Sequence, residues 1–434
     1  MIRTQFCPIG RACMLFAFAG LMNGACAIGR AQNIPYRLPG DVPPRVKKHK
    51  TPDKLPPVPT LAPAFSIPVA PLGYGAPGPT YLGRHQSLVA LTFLDEDRLL
   101  FSFRASGLLE RGSGDDGRAD AERKMRAVVL SLPDGKVEAQ TVWTLPDRGI
   151  FVWSLSDGRL LLRGSDGLEI VNSKLESRPL VQIPGQFLSL DISPEGKYLV
   201  ASSIDPTAHF DGPPPRAKLS LSTEGQPPRP ANIAARLVEV DSGHVLQTKR
   251  SNTATQAPIN SDGYLETRHD KLDQWTLTVH RFSGDDQYVG HVESTCLPTT
   301  FFASEHEVLV GGCTEGHVPK LMGVSAGQQL WQDETPIAIV PPLFAFSRDG
   351  SRFARETIVF KHPPSAGEET LWINAVQGQV VRIFDSATGK VVMETPISPT
   401  FDAGGNMAIS PSGRRLVVLN ENAIQVFDLP AAAR

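Results

Sequence analysis

The chain has 434 residues, 41% of them hydrophobic and 20% charged, which excludes a wholly disordered polymer and fits a packed core. Its formal charge of −2 is unevenly spread: +2 over residues 1–27 and +5 over residues 28–60 leave −9 on residues 61–434. An acidic body argues against nucleic-acid binding by the folded part, because neutralising phosphates needs clustered cations.

Arg3 and Arg11 precede an apolar run from Ala12 to Met22, and Ala25-Cys26-Ala27 puts small residues where a signal peptidase cuts. Residues 1–27 are therefore expected to be a cleaved export signal. Lipidation at Cys26 is the alternative, although Asn23 stands where a lipobox has an aliphatic residue. No later stretch reaches the roughly 20 apolar residues of a membrane-spanning helix, so no integral membrane segment is expected and the compartment is read as secreted or periplasmic.

Residues 28–79 hold Pro43-Pro44, Pro56-Pro57-Val58-Pro59 and Ala76-Pro77-Gly78-Pro79 together with the basic excess. Proline removes backbone donors and disfavours helix, so this segment reads as an extended or disordered tether ahead of a folded body at 80–434.

Within that body one hairpin recurs in chain order: an apolar strand, a turn of the type Ser/Asp-Pro-x-Gly, and a second apolar strand. Copies lie at Phe93 to Leu99, Leu155 to Leu160, Leu190 to Val200, Ala345 to Ala354 and Ala408 to Val418. The proline and glycine set the backbone angles that reverse the chain. A second hairpin alternates with it, sharpest at Leu237 to Leu246 and Val381 to Val392, weaker at Val129 to Val137 and Leu321 to Leu330. Two hairpins in succession make a four-stranded meander, and repetition every 40 to 60 residues or so is the sequence sign of propeller blades.

Through ISPEGKYLVA, ISPSGRRLVV and VRIFDSATGKVV the chain resembles the WD40-like and YVTN-type β-propeller superfamily over about residues 80–434, including quinoprotein amine dehydrogenase-like propellers. Strict WD40 signatures are missing, since Asp385 follows Phe384 and Asp428 follows Phe427. The fold expected is all-β: a single seven-bladed propeller of four-stranded antiparallel blades. First strands are placed near Leu88–Leu94, Gly149–Leu155, Phe187–Ile192, Thr255–Asn260, Pro298–Phe302, Pro341–Phe346 and Gly405–Ile409. The last blade lacks one strand, and an open edge exposes unpaired backbone groups. An N-terminal strand near Thr80–Gln86 is expected to fill it.

Cys296 and Cys313 are the two cysteines left after the expected signal. A hairpin centred between Ser304 and Glu305 would set them opposite one another, at a Cα spacing of about 4.5 to 5.5 Å that a disulfide tolerates. Two buried free thiols are the other reading.

In propellers of this kind first strands line the central channel, so Asp191, Asn260 and Asn406 are the weak candidates for a metal site; the resemblance to propeller lactonases implies calcium, which suits such oxygen ligands. Asp191 sits inside the hairpin repeat and Asn260 lies before a turn, so structural roles explain both. His269, His280 and His291 recur every eleven residues and read as solvated strand histidines rather than zinc ligands. No GxSxG elbow, HExxH helix or P-loop occurs, so neither catalytic residues nor a cofactor are assigned. Long insertions at 106–123, 204–233 and 361–378 all fall between second and third strands and so share one rim. The function expected is a monomeric exported binding module that uses this rim to engage an unknown protein or glycan. The alternative is an enzyme of lactonase or quinoprotein-dehydrogenase type working in the channel.

Overall fold

The computed structural model describes residues 58–76, 89–104, 122–146, 150–204, 233–251, 257–314, 319–334, 343–361 and 375–432. The expected signal at 1–27 and the segment Thr80–Gln86 lie outside them. Seven antiparallel sheets follow one another along the chain. The first blade comprises Val89–Phe93, Arg98–Arg104, Glu122–Ser131 and Val137–Pro146, and the second Val152–Ser154, Leu160–Arg163, Gly167–Val171 and Ser177–Gln182. The third holds Gln186–Ile192, Tyr198–Ile204, Ile233–Glu239 and Val245–Ser251. The fifth holds Thr299–Phe302, Val308–Cys313, Pro319–Ser325 and Gln328–Glu334, and the sixth Leu343–Phe346, Arg352–Phe360, Val376–Asp385 and Val391–Ile397. The chain is a seven-bladed β-propeller.

The fourth blade departs from the pattern. Its sheet has three strands, Gly263–Lys271, Gln274–Arg281 and Gln287–Glu293, and the first strand expected at Thr255–Asn260 is reduced to a bridge between Ile259 and Tyr264.

Serine at the head of each Ser-x-x-Gly turn explains why the repeat folds as it does. Ser193 Oγ accepts the Tyr198 N–H at 3.0 Å, Ser347 Oγ that of Arg352 at 2.9 Å, and Ser410 Oγ that of Arg415 at 3.1 Å. The matching glycine, at φ +73° in Gly196, takes the left-handed conformation that side chains resist. Blades one to six each also carry a register shift between their last two strands. Such bulges increase the local twist that splays a blade outward.

The last blade pairs Met407–Ile409, Arg415–Asn420 and Ala423–Asp428 with an N-terminal strand, as ring closure requires, but that strand is Phe65–Pro68 rather than Thr80–Gln86. Phe65 faces Val426 and Ile67 faces Ile424, and the Ala64 N–H reaches Val426 O at 2.8 Å. The segment read as tether thus supplies the closing edge. Proline is tolerated there because an edge strand leaves one row of backbone groups unpaired, and the run Phe65-Ser66-Ile67 alternates so that Ile67 is buried.

Apolar clusters fill the seams between adjacent blades. Ile67, Leu91, Phe101, Val417 and Ile424 join the seventh blade to the first, and Ala354, Ile383, Met407 and Leu416 join the sixth to the seventh. Similar clusters occupy the other seams except that between blades three and four. Among the described residues that seam is bridged by Tyr198 against Phe282, ring centroids 5.3 Å apart, and by Lys249 over the Tyr264 ring at 5.8 Å.

The Cys296 and Cys313 sulfurs are bonded, with Cα atoms 5.5 Å apart. The pairing agrees with the sequence reading but the register differs by one residue: Phe301 faces Leu309 and Thr299 faces Gly311, so the hairpin is centred on Glu305. Cys296 precedes the strand, in a loop held by Ser294, whose Oγ accepts the Cys313 N–H at 3.0 Å and donates to Cys296 O at 2.7 Å.

Candidate functional site: the central channel

First strands from six blades enclose a cavity of about 350 Å³ on the ring axis. Its walls are apolar, with Leu91, Phe151, Ile192, Phe302, Leu343 and Phe344 among them. Only two of the described lining residues are ionisable, Arg348 and Glu356.

Arg348 sits in the Ser347-Arg348-Asp349-Gly350 turn of blade six and reaches across the channel mouth to blade two. There its Nη2 donates to Leu155 O and, at 3.1 Å, to Ser154 Oγ. Ser154 in turn donates to Phe93 O of blade one at 2.9 Å. Burial holds the guanidinium below its ordinary value, against the weaker favourable fields of Asp157 and Glu96. Around the same mouth Glu305 of blade five accepts the Glu195 N–H of blade three at 3.2 Å and the Ser261 N–H of blade four at 2.7 Å. Ser261 Oγ also donates to Glu195 Oε2 at 3.1 Å.

Glu356 lies on the second strand of blade six, opposite Leu343, and is 2% exposed. Its neighbours are amides. Gln379 Nε2 donates to Glu356 Oε1 and, at 2.8 Å, to Phe401 O, while Gln379 Oε1 accepts the Phe401 N–H at 2.9 Å and Asn406 Nδ2 at 3.1 Å. The two Phe401 backbone contacts fix the Gln379 amide. The Asn406 amide lies 3.0 Å from Glu356 Oε2. Burial pushes Glu356 up to about 8, opposed by the Gln379 hydrogen bond. Burial thus favours the neutral carboxylic acid at this position.

Of the three metal candidates, Asn406 belongs to this cluster, whereas Asp191 and Asn260 do not. Asn260 Oδ1 accepts the Asp262 and Gly263 N–H groups at 3.0 and 2.8 Å, and its Nδ2 donates to Glu305 O at 3.0 Å, so it organises a turn. Asp191 pairs with Val200 within blade three. The three occupy different blades and none lines the channel, so together they do not fit a calcium ion.

The histidines of blade four do not converge either. His269 packs against Trp275 on one face of the sheet, with the rings tilted and their centroids 4.6 Å apart. His291 Nδ1 lies 2.9 Å from Thr276 Oγ1 on the other face. His280 is bracketed by Glu266 and Asp286, each at 2.9 Å, which raises it above the usual imidazole value. Among the described residues no group of three or more His, Cys, Asp or Glu side chains is arranged to hold a metal.

Sequence reasoning passed over Arg348, Glu356 and Gln379. One signal existed: Glu356 alternates with Ala354 and Ile358 on an apolar strand face, where a charge is out of place.

No family model matches the chain and no curated protein matches it. Solved structures do. An acylaminoacyl peptidase in complex with Z-Gly-Gly-Phe-chloromethyl ketone aligns at 9% identity over 82% of this chain and 53% of its own, with a TM-score of 0.48. The WD40 domain of Toxoplasma gondii coronin aligns at 12% identity over 81% and 85%, TM-score 0.44. The β-propeller domain of the Trilobed protease from Pyrococcus furiosus aligns at 11% identity over 80% and 95%, TM-score 0.43. The chain spans about half the length of the acylaminoacyl peptidases it matches. Identities this low concern the fold alone, which the seven successive sheets already define: a β-propeller.

Proposed function

We propose that the chain is an exported binding module whose propeller presents one rim to a protein or glycan partner. The observation that carries this reading is the asymmetry of the connections between second and third strands. Blades one, three and six join these strands through residues 105–121, 205–232 and 361–375, whereas blades two, four and seven use 164–166, 272–273 and 421–422. In a meander these connections all leave on the side opposite the Ser-x-x-Gly turns. The long segments themselves lie largely outside the described residues, but the strand ends that launch them, at Arg104, Ile204 and Phe360, share that rim.

Export is supported by the charged, apolar and small-residue sequence of residues 1–27 and by a cysteine pair that suits an oxidising compartment. Among the described residues no helix is long and apolar enough to cross a membrane. Replacing residues 205–232 with a short Gly-Ser linker and repeating affinity capture from the native envelope tests the rim. Loss of a captured partner supports it, and an unchanged set removes this connection from the reading. Stoichiometric metal or quinone in the purified protein would favour channel catalysis instead.

A further inference from the structure

We infer that the central channel binds a small amphipathic carboxylate, its anionic head on Arg348 and its apolar body along the first strands. This goes beyond the rim reading and does not depend on it.

Three observations carry the inference. The cavity, at about 350 Å³, lies within the size range of small-molecule sites and is walled by Leu91, Ile192, Phe302, Leu343 and Phe344. Such walls favour an apolar body. Arg348, the one cation among the described wall residues, is half-buried, and its hydrogen-bond partners there are a carbonyl and a hydroxyl, both on Nη2. Among the described residues no carboxylate lies within ion-pair reach of it, and Nε and Nη1 have no acceptor, yet neither is sealed from solvent. The two acids whose fields reach it are already engaged: Asp157 with Arg159 at 2.8 Å, and Glu96 with the Ser412 N–H at 2.7 Å. A carboxylate on the free edge of the guanidinium would compensate a partly desolvated charge in the geometry that arginine favours. Finally, the only acid among the described wall residues, Glu356, is buried, which favours its neutral form and weakens any repulsion of an anion.

The test is calorimetric titration of the full chain at pH 7 with sodium octanoate and, in parallel, with 1-octanol. Octanoate is expected to bind saturably and at least tenfold more tightly than the alcohol. Arg348→Met is expected to reduce octanoate affinity to that of octanol. Ala403→Trp, which crowds the cavity wall, is expected to abolish binding of both in a chain whose circular dichroism is unchanged. Equal affinity for acid and alcohol, absence of saturable octanoate binding, or full affinity in a folded Ala403→Trp or Arg348→Met protein would overturn the inference. Should Arg348→Met fail to fold, the acid–alcohol comparison and Ala403→Trp still decide it. Replacing residues 205–232 is expected to leave octanoate binding intact, so failure of the rim proposal and failure of this one are separate results.

Discussion

The Asn406 amide stands 3.0 Å from Glu356 Oε2 in the seam between blades six and seven, where burial favours the protonated form of the acid. The folded state therefore keeps a proton up to about pH 8 that the unfolded chain, at an ordinary value of 4.5, releases earlier. Between those values the folded state binds more protons. Stability accordingly falls as pH rises through the window, with a limiting slope of about 1.4 kcal/mol per pH unit, and levels off above it. Glu356→Gln can donate to Asn406 and accept from Gln379 without titrating. Denaturant melts from pH 5 to 9 are expected to show this downward slope in the native protein and its loss in Glu356→Gln, with the variant the more stable at pH 9. Parallel pH profiles would contradict the assignment.

His280, between Glu266 and Asp286, has the opposite consequence. Its raised folded value means that its contribution is fully present below 6.5 and is lost as pH rises through that raised value. Because the cluster is largely exposed, the effect on stability is expected to be small. The checking measurement is an NMR titration of the ring: a midpoint above 6.5 that falls toward 6.5 in Glu266→Gln.

The disulfide closes a loop with a sequence separation of 17. Cys313→Ser is expected to cost about 3 kcal/mol by loop-closure entropy, read from the shift in denaturation midpoint. Alkylation of the purified native protein without reductant is expected to add no mass at either cysteine.

The seam between blades three and four is the weak one. With no buried apolar cluster there among the described residues, and with the inner strand of blade four reduced to one bridge, amide exchange is expected to be fastest on Gly263–Lys271 among the second strands of the blades. Equal protection of that strand and of Arg415–Asn420 would contradict this ranking.

Much of the ring was legible because its turns are local. Ser193, Ser347 and Ser410 cap their own hairpins, so the repeat could be read without knowing what it packs against. The closing strand was misplaced because proline at 68 looks like tether, and only pairing with Ala423 shows it to be an edge. The cysteine pairing is legible in the polar run between the two strands, but its register is not, because Ala303 closes the turn by donating to Glu307 O and so moves the hairpin centre onto Glu305. The channel chemistry was the least legible. Arg348 reads as one more exposed turn residue until blade two is brought opposite it, and the cluster around Glu356 draws in Phe401 and Asn406, more than forty positions along the chain.

Ring closure by Phe65–Pro68 is the relationship on which the channel, its mouth and the rim all depend. Ile67→Ala is expected to cost about 2–5 kcal/mol, as burial at a seam implies. The most direct measurement is hydrogen exchange by mass spectrometry on the full chain and on one that begins at Val69. The shortened chain is expected to lose protection across Ala423–Asp428 and to melt at a lower temperature. Unchanged protection of that strand with an unchanged melting temperature would show that the last blade is completed in some other way.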